Sequence, residues 1–248
     1  MSVVRRSGLA VLFACLLARC LFPSLDGLSG GGDASVTNEA GPIAFVQQRS
    51  TDVLSTDASV AIPGAVGAGN TLVVCSDYPV DFGSMSVSDT LGRTYALLGS
   101  ADGANSGSGH NVCFVSIGGL GGPDTITFTL TSTTLADGSA DDLEAYVLEY
   151  QNVAAVDQKL ATFGVDDSGP DAFVPWDAGS ITAASPNELL FAWVEGSAAA
   201  RLDSTFTSRT MLNGNDVGDQ ILDASGAFLV TGTANANWTL VAATFKGL

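Results

Sequence analysis

The chain has 248 residues and is 46% hydrophobic, enough for one sizeable core or two small ones, and all-β domains run to about 250 residues as single units. Only 14% of residues are charged, 26 acidic against nine basic, and three of the basics (Arg5, Arg6, Arg19) lie in the first twenty positions. So acidic a remainder argues against nucleic acid as a partner, because such binding rests on Lys and Arg neutralising phosphates, and it disfavours anionic membranes for the same reason.

Residues 1–20 read as an export signal. Arg5 and Arg6 form a positive n-region, and Gly8–Ala18 is an apolar stretch too short for the roughly 20 residues that span a bilayer. "LLARC" resembles a lipoprotein box that would lipidate Cys20, although Arg19 occupies a place that box gives to a small residue. A lipid anchor at Cys20 and simple cleavage with free secretion both stay open. Residues 21–42 are rich in Gly, Ser and Asp without periodicity, the composition of a flexible tether.

Beyond residue 42, short runs of β-formers alternate with Gly, Asp, Asn, Ser and Pro. The pattern predicts strands at Ile43–Arg49, Ser59–Ile62, Thr71–Ser76, Ser84–Ser88, Thr94–Leu98, Asn111–Ile117 and Thr125–Thr131. It continues with Leu143–Tyr150, Val156–Phe163, Gly179–Ala184, Glu188–Glu195, Thr205–Thr210, Asp219–Ala224, Phe228–Thr233 and Trp238–Phe245. "TITFTLT" alternates at period 2, the mark of a strand with one buried face. No window sustains a 3.6-residue apolar period, so helices should be few or none. Many short, evenly spaced strands indicate an all-β, antiparallel two-sheet β-sandwich, formed as a single domain over 43–248. No internal repeat is legible. Cys75 and Cys113 each lie in an apolar strand, and an even pair in an oxidising compartment predicts a disulfide.

Catalytic chemistry finds little support. A Ser-His-acid set would need His110, the single histidine, and no G-x-S-x-G accompanies it. Glycoside hydrolysis needs two carboxyls facing one cleft. Glu144 and Glu149 are five apart, and Glu188 and Glu195 seven apart, so strand alternation sends each pair to opposite faces. Calcium would use oxygen ligands, for which Asp166, Asp167 and Asp171 in the long Val165–Asp177 loop are the candidates, without EF-hand spacing. Asp is equally a turn residue. Trp176, Tyr78 and Asp177 sit in polar stretches and are the candidates for contact with a sugar, the aromatics as platforms and the acid on hydroxyls. Trp193 and Trp238 fall in strands and read as core.

"GNTLVVCS", "VSDTLGRTYALLGS", "VLEYQNV", "SPNELLFAW" and "NWTLVAATFK" occur in that order over Gly69–Lys246. They resemble the structural phrases of a family of secreted bacterial β-sandwich proteins and modules that has no established catalytic set. The resemblance implies a jelly-roll-like sandwich at or outside the cell surface. This chain departs from it in Cys75 and Cys113, and in Arg93 where Asn is usual. Within Asp89–Arg93 the Asp and Gly are expected to make a hairpin turn, with Arg93 exposed. The expected function is therefore non-enzymatic: an exported or surface-anchored protein binding a glycan or another envelope component, with no cofactor unless calcium. A structural, adhesin-like subunit assembling through sheet edges is the alternative, and a glycoside hydrolase the third reading.

Overall fold

The computed structural model describes residues 41–78, 83–102, 110–131, 142–165 and 173–248, and every regular element among them is a β-strand. The first eight are β1 (Ala44–Leu54), β2 (Asp57–Ala61), β3 (Thr71–Tyr78), β4 (Ser84–Asp89), β5 (Ala96–Asp102), β6 (His110–Ser116), β7 (Thr125–Thr131) and β8 (Asp142–Gln151). The second eight are β9 (Val153–Gly164), β10 (Val174–Ala183), β11 (Glu188–Gly196), β12 (Ala200–Leu202), β13 (Thr207–Leu212), β14 (Asn215–Leu222), β15 (Gly226–Ala234) and β16 (Trp238–Gly247). All pairings are antiparallel.

The strands form four sheets, and their order contains a repeat that the residues hide. The first half builds a five-stranded sheet β1-β8-β3-β6-β5 and a three-stranded sheet β2-β7-β4. The second half builds β9-β16-β11-β14-β13 and β10-β15-β12. Adding eight to each strand of the first pair of sheets gives the second pair. Within each half, first pairs with last, second with seventh and third with sixth, so each half is a nested, jelly-roll-like two-sheet sandwich.

The two five-stranded sheets pack on each other through a central core that includes Tyr146, Leu148 and Tyr150 from one side and Leu189, Phe191, Trp193 and Phe245 from the other. Each three-stranded sheet covers an outer face. Ile126, Phe128 and Leu130 of β7 close one outer core, and Trp176, Ile181 and Val230 close the other. Strands β11 and β16 are thus covered on both faces, which is why "LLFAWV" and "LVAA" are unbroken apolar runs. β7 has one face in solvent and alternates accordingly.

The Cys75–Cys113 disulfide forms, joining residues opposite each other in the β3–β6 ladder and facing the central core. Two sequence expectations need correction. β10 starts at Val174, inside the stretch read as a loop, because Asp177 and Gly179 make a bulge within the strand. Asp177 Oδ1 accepts the Gly179 amide at 2.7 Å, and Gly179 has φ 92°. Arg93, expected on an exposed turn, is half-buried. Its Nη1 donates to the carbonyls of Asn70 (3.0 Å) and Gly118 (2.6 Å), and its Nη2 to that of Leu120. The turn itself is as read: Asp89 accepts the Arg93 amide at 2.9 Å and the Tyr95 hydroxyl at 2.8 Å, and Gly92 has φ 72°.

Candidate functional site

The outer sheet of the second half carries the best-formed cleft that contains sequence-predicted residues. Alternation along β10 turns Trp176 inward and Pro175 and Asp177 outward; β12 turns Leu202 inward and Arg201 outward. In register, Trp176 stands opposite Gly232, which stands opposite Leu202, and Asp177 stands opposite Thr231. Thr233 lies between Pro175 and Arg201. Glycine at 232 is required here: a Cβ would come within 2.3 Å of the Trp176 ring and 1.9 Å of the Arg201 carbonyl.

The result is a cleft of about 490 Å³ lined by Trp176, Asp177, Arg201, Asp203, Thr231 and Thr233, with Pro175, Leu202 and Gly232. That volume lies within the range of roughly 300–1,000 Å³ typical of small-ligand sites. The Arg201 guanidinium stands over the half-exposed Phe173 ring, 5.4 Å from its centre. Asp203 accepts the Thr205 amide (2.7 Å), the Thr205 hydroxyl (2.6 Å) and the Thr231 hydroxyl. Burial pushes its pKa upward, but the bonds from Thr205 and Thr231 outweigh that and leave it below the usual carboxylate value. Asp203 therefore stays ionised and fixes Thr231, while Arg201, Asp177 and Thr233 present donors and acceptors to solvent.

Trp176 is not a solvent-facing platform. It is 6% exposed, stacks on Trp238 with ring centres 4.8 Å apart, and keeps an indole N–H without a partner. Tyr78, the other aromatic candidate, is 3% exposed at the end of β3 in the opposite half. Burial pushes its phenol up to about 12, and its ring packs on His110 at 4.8 Å. The structure brings Trp176 and Asp177 together and leaves Tyr78 elsewhere. Asp166, Asp167, Asp171 and Cys20 lie outside the described residues. Among the described residues no three His, Cys, Asp or Glu side chains converge as a metal site.

The remaining chemical candidates also find places. His110 Nδ1 contacts Asp102, and burial lowers its pKa. Glu144 and Glu149 point to opposite faces of β8. Glu144 sits at the edge of the central core, where burial raises its pKa against hydrogen bonds from the Tyr146 hydroxyl and Asn215 Nδ2 (2.9 Å). Glu149 holds the loop after β2, accepting the Gly67 amide at 2.7 Å and Asn70 Nδ2 at 2.6 Å. Sequence reasoning missed Arg201, Asp203, Thr231 and Thr233. Their signal was alternation: "ARLD" and "VTGTA" put polar residues on every second position. No family model, curated protein or solved structure matches the chain.

Proposed function

We propose that this is a non-enzymatic, exported or surface-anchored protein that binds a hydroxyl-rich ligand, a glycan or another envelope component, in the cleft on the outer face of β10-β15-β12. The observation that carries the reading is the meeting of Asp177, Arg201, Thr231 and Thr233 around one cleft. Arg supplies donors in a fixed fork, Asp supplies acceptors, the Thr233 hydroxyl supplies both and Thr231, whose proton goes to Asp203, accepts, which is the complement a polyol needs. Phe173 and the 60% exposed Leu229, close by, offer apolar surface to a sugar face. The N-terminal stretch that reads as an export signal and the acidic composition support an extracytoplasmic setting.

The test is a glycan array followed by calorimetric titration of the best ligand. Arg201→Ala and Asp177→Ala should each weaken binding by about tenfold or more, at unchanged melting temperature. Binding that survives both substitutions would remove the cleft from consideration. Trp176→Ala is the wrong probe, because truncating a buried indole would disrupt the outer core itself.

A further inference from the structure

We propose that the ligand of the β10-β15-β12 cleft is an acidic glycan, and that Arg201 selects it by taking a uronate carboxylate. The inference rests on the cleft being the binding site and names the chemistry of what enters it. Its starting point is what the basic side chains do. Of the six Lys and Arg residues beyond position 42, Arg93, Lys159, Arg209 and Lys246 each bond a carbonyl or a carboxylate. Arg201 has no such acceptor among the described residues, although two aspartates line the same cleft. Arg49 shares that freedom, but its groove between β1 and β2 holds neither an aromatic ring nor an acid.

The two aspartates are committed elsewhere. Both oxygens of Asp203 accept donors, Oδ1 from Thr205 and Oδ2 from the Thr231 hydroxyl. Asp177 Oδ1 accepts the Gly179 amide, which leaves its Oδ2 for a ligand hydroxyl. Arg201 is held by a ring instead of an acid. Phe173 directly precedes β10 and Arg201 lies on β12, so the width of β15, roughly 10 Å between the two edge strands, separates their backbones. A guanidinium 5.4 Å from the Phe173 ring centre therefore leans inward over the sheet. A ring contact consumes no N–H donor, so the whole fork stays open to a ligand.

An open planar fork matches a carboxylate, whose two oxygens accept parallel N–H bonds. With one cation beside two acids, the cleft suits a ligand that carries one negative charge at one end and hydroxyls elsewhere. A phosphate monoester, with nearly two charges, would meet Asp177 and Asp203 without a second cation to offset them. The register agrees with this polarity. Arg201 shares a row with Thr233 and Pro175, and the Asp177–Thr231 row lies two residues further along, about 7 Å away. A hexuronate bridges such a step, with its carboxylate on Arg201 and its ring hydroxyls toward Thr231 and Asp177.

Calorimetric titration of the full-length protein with the tetramers of galacturonate, glucuronate and mannuronate tests this, each beside its carboxyl-reduced, neutral counterpart. One tetrauronate should bind about tenfold or more tightly than its reduced form. Arg201→Ala should erase that difference, weakening the uronate about ten- to hundredfold and leaving the neutral form unchanged. Arg201→Lys, which keeps the charge without the fork, should recover part of the loss. Arg201 is exposed, so neither variant disturbs the core beneath the cleft. Tetrauronates that bind no more tightly than their reduced forms, with binding still weakened by Asp177→Ala, would overturn the acid selectivity and leave the cleft standing. Tetrauronate binding untouched by both Arg201→Ala and Asp177→Ala would overturn the cleft as the site, and no binding of any glycan, acidic or neutral, would overturn both.

Discussion

Arg93 shows how far a local reading reaches. Asp89 and Gly92 make their turn with partners no more than six residues away, so composition alone revealed it. The Arg93 guanidinium instead binds carbonyls 23, 25 and 27 positions distant, from the chain before β3 and the loop after β6. Nothing in "DTLGRT" announces those partners. Its role is to tie backbone acceptors of two loops together, and bonds to a charged donor are worth about 1.5–3 kcal/mol each. Arg93→Ala should therefore destabilise the protein by about 3 kcal/mol, read from urea unfolding midpoints. Arg93→Lys should recover only part of that loss, because one ammonium cannot reach three carbonyls in a planar fork. An alanine variant as stable as wild type would return Arg93 to the status of an ordinary turn residue.

Among the elements, depth of burial was legible and partnership was not. Unbroken runs such as "LLFAWV" marked strands covered on both faces, and the alternation of "TITFTLT" marked one with a wet face. Half of the candidate cleft was visible as "PWD", but Arg201 lies on a three-residue strand and Asp203 just beyond it, so the alternation there spans only two polar positions. Cys75 and Cys113 could be recognised as strand cysteines; that they face each other follows only from the β3–β6 register. The bridge closes a loop with a sequence separation of 38, for which chain entropy gives about 4 kcal/mol. The Cys75→Ala, Cys113→Ala double variant should lose stability on that order, measured by denaturant unfolding against the oxidised wild type. A loss below about 1 kcal/mol would mean that the unfolded chain is already compact around these strands.

For the whole molecule, the repeated strand order raises the question of whether the halves are separate folding units. The repeat escaped the sequence because packing preserves periodicity and not identity: inward-facing pairs are Cys75–Cys113 in the β3–β6 ladder and Trp193–Val217 in the β11–β14 ladder. Yet neither five-stranded sheet has a complete inner covering without the other. Tyr146 packs on Trp193 with ring centres 5.2 Å apart, and the Tyr150 hydroxyl donates to Asp219 at 2.8 Å. Asp219 in turn holds Arg209 through two 2.7 Å bonds, and Arg209 stands 4.1 Å from the centre of the Phe45 ring. Removing one half would expose the large aromatics of the other to water and break the Tyr150–Asp219 bond, at a cost that no outer core offsets. The two halves should therefore unfold together. Phe191→Ala in the central core and Phe128→Ala in the first outer core should each cost about 3–5 kcal/mol. In scanning calorimetry both should shift one transition whose van't Hoff and calorimetric enthalpies agree. A Phe128→Ala protein melting in two steps, with the second at the wild-type temperature, would show instead that the second half stands alone.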